Sequence, residues 1–233
     1  MTGMDIVNMR NKGFTLVEVL IAMAVGAIIM AAIYGLMTTA QKTSTSLDRK
    51  VIAQQDTRAV LDLMAMEIRM ASFNPAYKNS TWLTDATTSK CVPVPPAVSE
   101  GNKGIKIATA NQLGVAMDLN GSEIIGDVSN EYIVYSYDGA STLTRSVSCA
   151  SSDIIGGSAP YSKIRNADAG VSLFQYFDKD DNPIVDPSVH IPDIRRIVIT
   201  IASETSEKNL NTKQSNKLVY STSVIVRNHA ISP

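Results

Sequence analysis

The sequence predicts an α+β chain in which one long N-terminal helix precedes an antiparallel β-sheet. Three observations predict it. The run from Leu16 to Met37 is apolar with a single charge, Glu18. No proline falls between Phe14 and Asn74, so a helix begun at the first residue meets no breaker before the second. From Gly104 onward, short runs rich in β-branched and aromatic residues alternate with turn residues, which is how strands read. Helix first and strands after leaves the helix as the cover for the sheet. The composition agrees: 45% hydrophobic and 18% charged residues exclude wholesale disorder.

The first element is the apolar run, LVEVLIAMAVGAIIMAAIYGLM. As a helix its 22 residues span roughly 33 Å, close to the hydrocarbon thickness of a bilayer. It exceeds the about 7–15 residues of a signal-peptide core, and it runs on into a helical pattern instead of a cleavage site. Arg10 and Lys12 precede it. By the positive-inside rule the short N-terminus is expected in the cytoplasm and the remainder on the far side. Gly26 and Gly35 read as the small residues common in membrane helices. Glu18 sits in the first turn of the span. A charge there costs up to a few kcal/mol in lipid, so it needs a partner or must snorkel to the interface.

The second element is the amphipathic continuation of the helix. Leu47, Val51, Ile52, Val60, Leu61, Met64 and Ile68 recur at spacings near three and four. Asp48, Arg49, Lys50, Asp56, Arg58, Asp62, Glu67 and Arg69 fill much of the rest. That is one apolar stripe on a wet helix. Asn74-Pro75 is expected to end it, giving a helix from Phe14 to about Ser72, 59 residues and about 88 Å long. The expected organisation is therefore 14–37 membrane helix, 38–73 amphipathic continuation and 74–233 β-rich head.

Residues 75–103 hold four prolines and many Ser and Thr, and read as irregular connection. Strands are predicted at Gly104–Ala108, Gln112–Leu119, Glu131–Tyr137, Leu143–Val147, Val171–Phe177, Ile194–Ala202 and Leu218–Arg227. Asp138-Gly139 between two of them signals a hairpin.

The junction ahead of the helix carries the most specific pattern. Lys12-Gly13-Phe14-Thr15-Leu16-Val17-Glu18-Val19-Leu20 resembles the prepilin motif of type IV pilins and type II secretion pseudopilins. A basic residue, a Gly before the cut, a Phe after it and a Glu four residues further on match together, and an uninterrupted apolar helix follows. The resemblance implies a 1–13 leader and a type IV pilin-like fold. It implies cutting between Gly13 and Phe14 by a prepilin peptidase, which then methylates the new amine of Phe14. It also implies that Glu18 pairs with the N-terminal amine of a neighbouring subunit. The leader departs from the family in its length and in carrying Asp5. The stretch from Phe174-Gln175-Tyr176-Phe177 through Ile197-Val198-Ile199-Thr200-Ile201 to Val224-Ile225-Val226-Arg227-Asn228 is similar to PilW-type minor pilins, and next to J-type minor pseudopilins. The implied partners are other minor and major pilins and an inner-membrane assembly platform. The implied location is the inner membrane, single-pass with the head in the periplasm, and then the pilus.

Cys91 and Cys149 are the only cysteines. In an exported domain they are expected to pair, closing a 58-residue loop worth roughly 4 kcal/mol; the alternative is two free thiols. Four scattered residues, Cys91, Cys149, His190 and His229, lack the close pairing of a zinc finger. Asp178, Asp180, Asn182 and Asp186 fall at positions 1, 3, 5 and 9 of an EF-hand-like loop. Pro183 stands where Gly is needed and Val189 where a bidentate Glu belongs, so calcium is a weak candidate and an acidic turn the plainer reading. His190 and His229 have no acidic or Ser partner at a catalytic spacing, and no P-loop, nucleophile elbow or dinucleotide fingerprint occurs. The expectation is no enzyme and no cofactor. A net charge of -1 argues against nucleic acid, leaving only local patches at Arg195-Arg196 or Lys208, Lys213 and Lys217. The expected function is a minor pilin acting in pilus initiation or at the tip. The alternatives are a minor pseudopilin of type II secretion, and a tip adhesin or DNA-uptake module.

Overall fold

The computed structural model describes residues 13–82, 102–148, 150–156, 162–208 and 215–230. The chain forms two units, Met1–Leu47 and Asp48–Pro233. Helix α1 (Leu16–Arg69, 54 residues) contributes to both. It starts two residues after Phe14, because Thr15 serves as its cap. It also ends before the proline. The Met70 and Ala71 N–H groups reach back only three residues, to the carbonyls of Glu67 and Ile68. Ser72 then takes a left-handed conformation, φ 64, and gives its N–H to the Ala116 carbonyl at 2.9 Å. The chain leaves the helix by bonding to the sheet, and Pro75 comes after the turn is made.

In the first unit α1 is apolar from Leu16 to Met37 apart from Glu18, polar from Thr38 to Ser46, and unburied. Its most apolar window has a mean hydropathy of 2.6, none of it buried, and it is long and apolar enough to cross a membrane. Leu16, Ile28 and Leu36 are each more than 70% exposed.

The second unit holds two antiparallel sheets where a sheet had been expected. The first is a meander of β1 (Ile105–Ala108), β2 (Gln112–Ala116), β3 (Tyr132–Tyr137), β4 (Leu143–Val147) and β5 (Asp153–Gly156), in chain order. The second contains β6 (Ser162–Ile164), β7 (Phe174–Phe177), β8 (Arg196–Lys208) and β9 (Ser215–Ile225). β9 pairs with β8 from Arg196 through Glu204 in one register, so β6 and β7 share the other edge of β8. A short helix, α2 (Asn166–Ala169), joins them. The buried Asn166 amide mends the gap: it donates to the Thr200 carbonyl at 2.6 Å and accepts from the Ala202 N–H at 2.8 Å. One side chain thus stands in for a missing strand residue, satisfying backbone groups that would otherwise be buried and unpaired. A last turn, α3 (Arg227–Ala230), follows β9.

The core lies where α1 meets both sheets. Val60, Leu61, Met64 and Ile68 are buried as the stripe predicted, against Ile133, Tyr135, Leu143, Ile197 and Ile199 among others. Burying each such aliphatic side chain contributes about 1.5–3 kcal/mol. The first part of the predicted stripe is wrong: Leu47, Val51 and Ile52 are 57%, 49% and 40% exposed. The buried line runs instead through Ala53, Thr57 and Ala65, small residues where the helix seats on the head. Thr57 satisfies its hydroxyl on the Ala53 carbonyl at 2.8 Å. A second cluster, Trp82 with Ala116, Ile125 and Tyr132, covers the opposite face of the first sheet.

All seven predicted strands occur; Leu143–Val147 keeps its ends and the other six shift theirs. The Asp138-Gly139 hairpin joins β3 to β4 through a five-residue loop, 138–142. The Asp138 carboxylate accepts the N–H groups of Ala140, Ser141 and Thr142 at 2.8–3.0 Å. The slight burial of this carboxyl works upward, but those donors outweigh it and hold the pKa at about 2. β5 and β6 were not predicted. They are four and three residues long, too short for alternation to register against a Gly- and Ser-rich background.

Candidate functional site

The junction residues come first. Phe14 is 88% exposed, and a Cβ placed on Gly13 would meet nothing within 4 Å. Among the described residues nothing packs against position 13.

Thr15 and Glu18 form a capping box. The Thr15 N–H donates to Glu18 Oε2 at 2.9 Å, and the Thr15 hydroxyl donates to the same oxygen at 3.0 Å. In return the Glu18 N–H reaches Thr15 Oγ1 at 3.3 Å. Two of the helix's unpaired N–H groups are thereby satisfied, and a carboxylate sits at the positive end of the helix dipole. Glu18 therefore has a local partner that the charge argument did not find. The signal was present as Thr-x-x-Glu ahead of an apolar run. Of the Glu18 carboxylate only Oε2 takes part, which leaves Oε1 with no hydrogen bond among the described residues.

The structure brings together one pair that sequence spacing hid. His229, on α3, lies 2.9 Å through Nδ1 from the Ser72 hydroxyl, 157 positions earlier. Its Nε2 lies 2.9 Å from the Ile191 carbonyl, which can only accept; Nε2 therefore carries the hydrogen and Nδ1 accepts from Ser72. The Ser72 oxygen in turn accepts the Gly104 N–H at 3.0 Å. Burial, with Lys103 and Arg195 nearby, lowers the His229 pKa to about 4. Both side chains are buried and fully bonded, and no carboxylate orients the ring. This is a latch holding the last turn against the end of α1, not a nucleophile–base pair. His190 is exposed and sits 3.4 Å from Asp193.

The acidic stretch after β7 is a turn. Asp178 Oδ1 accepts the N–H groups of Asp180 and Asn182 at 2.9 and 2.8 Å, and Asn182 Nδ2 donates to its other oxygen. Asp180 pairs with Lys179, and Asp186 accepts from Ser188. Among the described residues, no three of His, Cys, Asp or Glu gather as a metal site. Arg196 lies over the Phe177 ring at 3.9 Å and pairs with Asp181, while Arg195 donates to the Pro192 and Ile194 carbonyls. The Arg pair is thus engaged by the protein itself. Cys91, Cys149 and Lys213 lie outside the described residues.

Residues 8–34 match the family model of the prokaryotic N-terminal methylation motif. The chain carries a prepilin-type N-terminal methylation motif. The match covers Gly13, Phe14, Thr15, Glu18 and the most apolar part of α1, and it supports a type IV pilin-like protein of pilus or secretion assembly. The motif implies processing by a prepilin peptidase and assembly with other pilin-like subunits in a membrane machinery. Its known bearers are structural subunits rather than enzymes. The chain has no significant match among curated proteins or solved structures.

Proposed function

We propose that the chain is a minor pilin of the PilW kind, serving the initiation or tip complex of a type IV pilus. The observation that carries this reading is the junction: an exposed Gly13-Phe14 bond, directly followed by a capped helix whose carboxylate keeps one oxygen free. Cutting there and methylating the amine leaves a cation at Phe14. In an apolar surround, such a cation on one subunit and Glu18 Oε1 on its neighbour relieve each other's desolvation, so pairing favours assembly over lone subunits in lipid. The basic residues before α1 support an orientation with the N-terminus in the cytoplasm and the head in the periplasm, later on the pilus. The head, with its own core, suits a subunit used in few copies rather than the repeating wall of a filament.

Deletion of the gene in its own host, with complementation, tests this. The expected result is few or no surface pili and normal type II secretion. Normal piliation without the chain would overturn the reading, and loss of secretion with intact pili would reassign it to a pseudopilin.

A further inference from the structure

A cleft of about 450 Å³ opens in the head between α1, the end of the first sheet and the start of the second. Val60, Ile154, Ile155, Ile164 and Ile201 form its apolar wall, and Asp56, Thr57 and Ser203 line it too. Ser203 is 4% exposed, and its hydroxyl has no hydrogen-bond partner among the described residues. A buried, unpaired hydroxyl destabilises the isolated head. The second observation is topological. β5 closes the first sheet and pairs with β4 alone, so no strand lies along its outer edge among the described residues. Among the described residues that edge carries Ile154, 67% exposed, beside the single charge of Asp153, and neither Lys nor Pro.

We propose that this cleft receives an extended apolar segment of a partner subunit. Its backbone pairs with the outer edge of β5, one aliphatic side chain enters between Val60 and Ile201, and a main-chain carbonyl accepts the Ser203 hydroxyl. The chemistry selects a peptide over other apolar guests. An acyl chain would fill the volume, but it would leave both the strand edge and Ser203 unpaired. Only a backbone supplies alternating donors and acceptors at strand spacing. The existence of a partner subunit rests on the proposed assembly role, whereas the recognition chemistry rests on the cleft.

The test uses the full chain in its native membrane, with a benzophenone amino acid at Ile154 and, as control, at Val185, which is 96% exposed and lines a different surface. Irradiation at 154 is expected to join the chain to a co-purifying subunit, with the cross-linked peptide mapping to an alternating apolar segment. Ala59→Trp places a large ring at an exposed α1 position on the cleft wall. It is expected to cut that cross-link at least tenfold while leaving the protein's level and the products at 185 unchanged. A cross-link at 154 only to lipid or within the chain itself, or one indifferent to Ala59→Trp, overturns the inference. Co-purification of subunits without any product at 154 overturns the cleft alone; absence of any co-purifying subunit removes the assembly reading and this inference with it.

Discussion

Arg145 of β4 grips Glu67 of α1 with two bonds, Nε to Oε2 at 3.0 Å and Nη2 to Oε1 at 2.6 Å. The Tyr135 hydroxyl donates to the same carboxylate. Both charged side chains are largely shielded, 17% and 13% exposed. Burial, reinforced by the neighbouring Glu67 carboxylate, raises the Tyr135 phenol, so it stays a donor at any ordinary pH. Glu67 is thus the polar counterpart of the apolar seam between helix and sheet. Glu67→Ala should leave a guanidinium and a phenol without an acceptor, destabilising the head by about 3 kcal/mol. Glu67→Gln, which keeps an acceptor, should lose less. Denaturant unfolding followed by Trp82, the chain's one tryptophan and itself buried, measures both. Equal, negligible losses would reject the role.

His229 gives the head an acid limit. Its folded pKa of about 4 lies below the ordinary 6.5, so the folded state resists protonation. The stability it supports is complete above pH 6.5 and falls away as pH drops toward 4. The full difference is about 3 kcal/mol. His229→Gln should flatten unfolding free energy against pH in that window. An unchanged slope would refute the latch.

Processing should depend on Gly13. Gly13→Val should leave the precursor uncut yet equally stable, within about 0.5 kcal/mol, since no described residue packs on that position. Mass spectrometry of membrane protein should find Phe14 at the wild-type N-terminus, with a methylated amine. An intact leader in the wild type would contradict this.

For Glu18 the capping box sharpens the experiment. Glu18→Gln retains an acceptor for the Thr15 N–H and removes the charge, whereas Glu18→Ala removes both. Insertion and cleavage should survive in each. If the carboxylate pairs with a neighbour's amine, both variants should lose co-purification with partner pilins. Rescue by Gln would mean that the cap, and not the charge, is what assembly needs.

Protein recovered from the exported compartment should carry a Cys91–Cys149 disulfide, read as a linked peptide pair under non-reducing conditions. Free thiols on both would refute it.

Local signals decided much of this chain. A continuous apolar run dictates a membrane-length helix because every backbone polar group must be bonded within it. The junction motif, the amphipathic continuation and the strand-rich head are likewise legible, since each rests on residue type at short spacing. The sequence alone also held the capping box, as Thr15 and Glu18 three positions apart. What only the tertiary structure decided are the pairings over long separations. Glu67 meets Arg145 across 78 positions, Ser72 meets His229 across 157, and Asn166 replaces a piece of strand beside β8. So too the seat of the helix on Ala53 and Thr57, and the cleft beside β5. None of these follows from periodicity, because each depends on which surfaces close together when the two sheets pack around α1. There a buried polar group takes whatever partner the fold brings within reach.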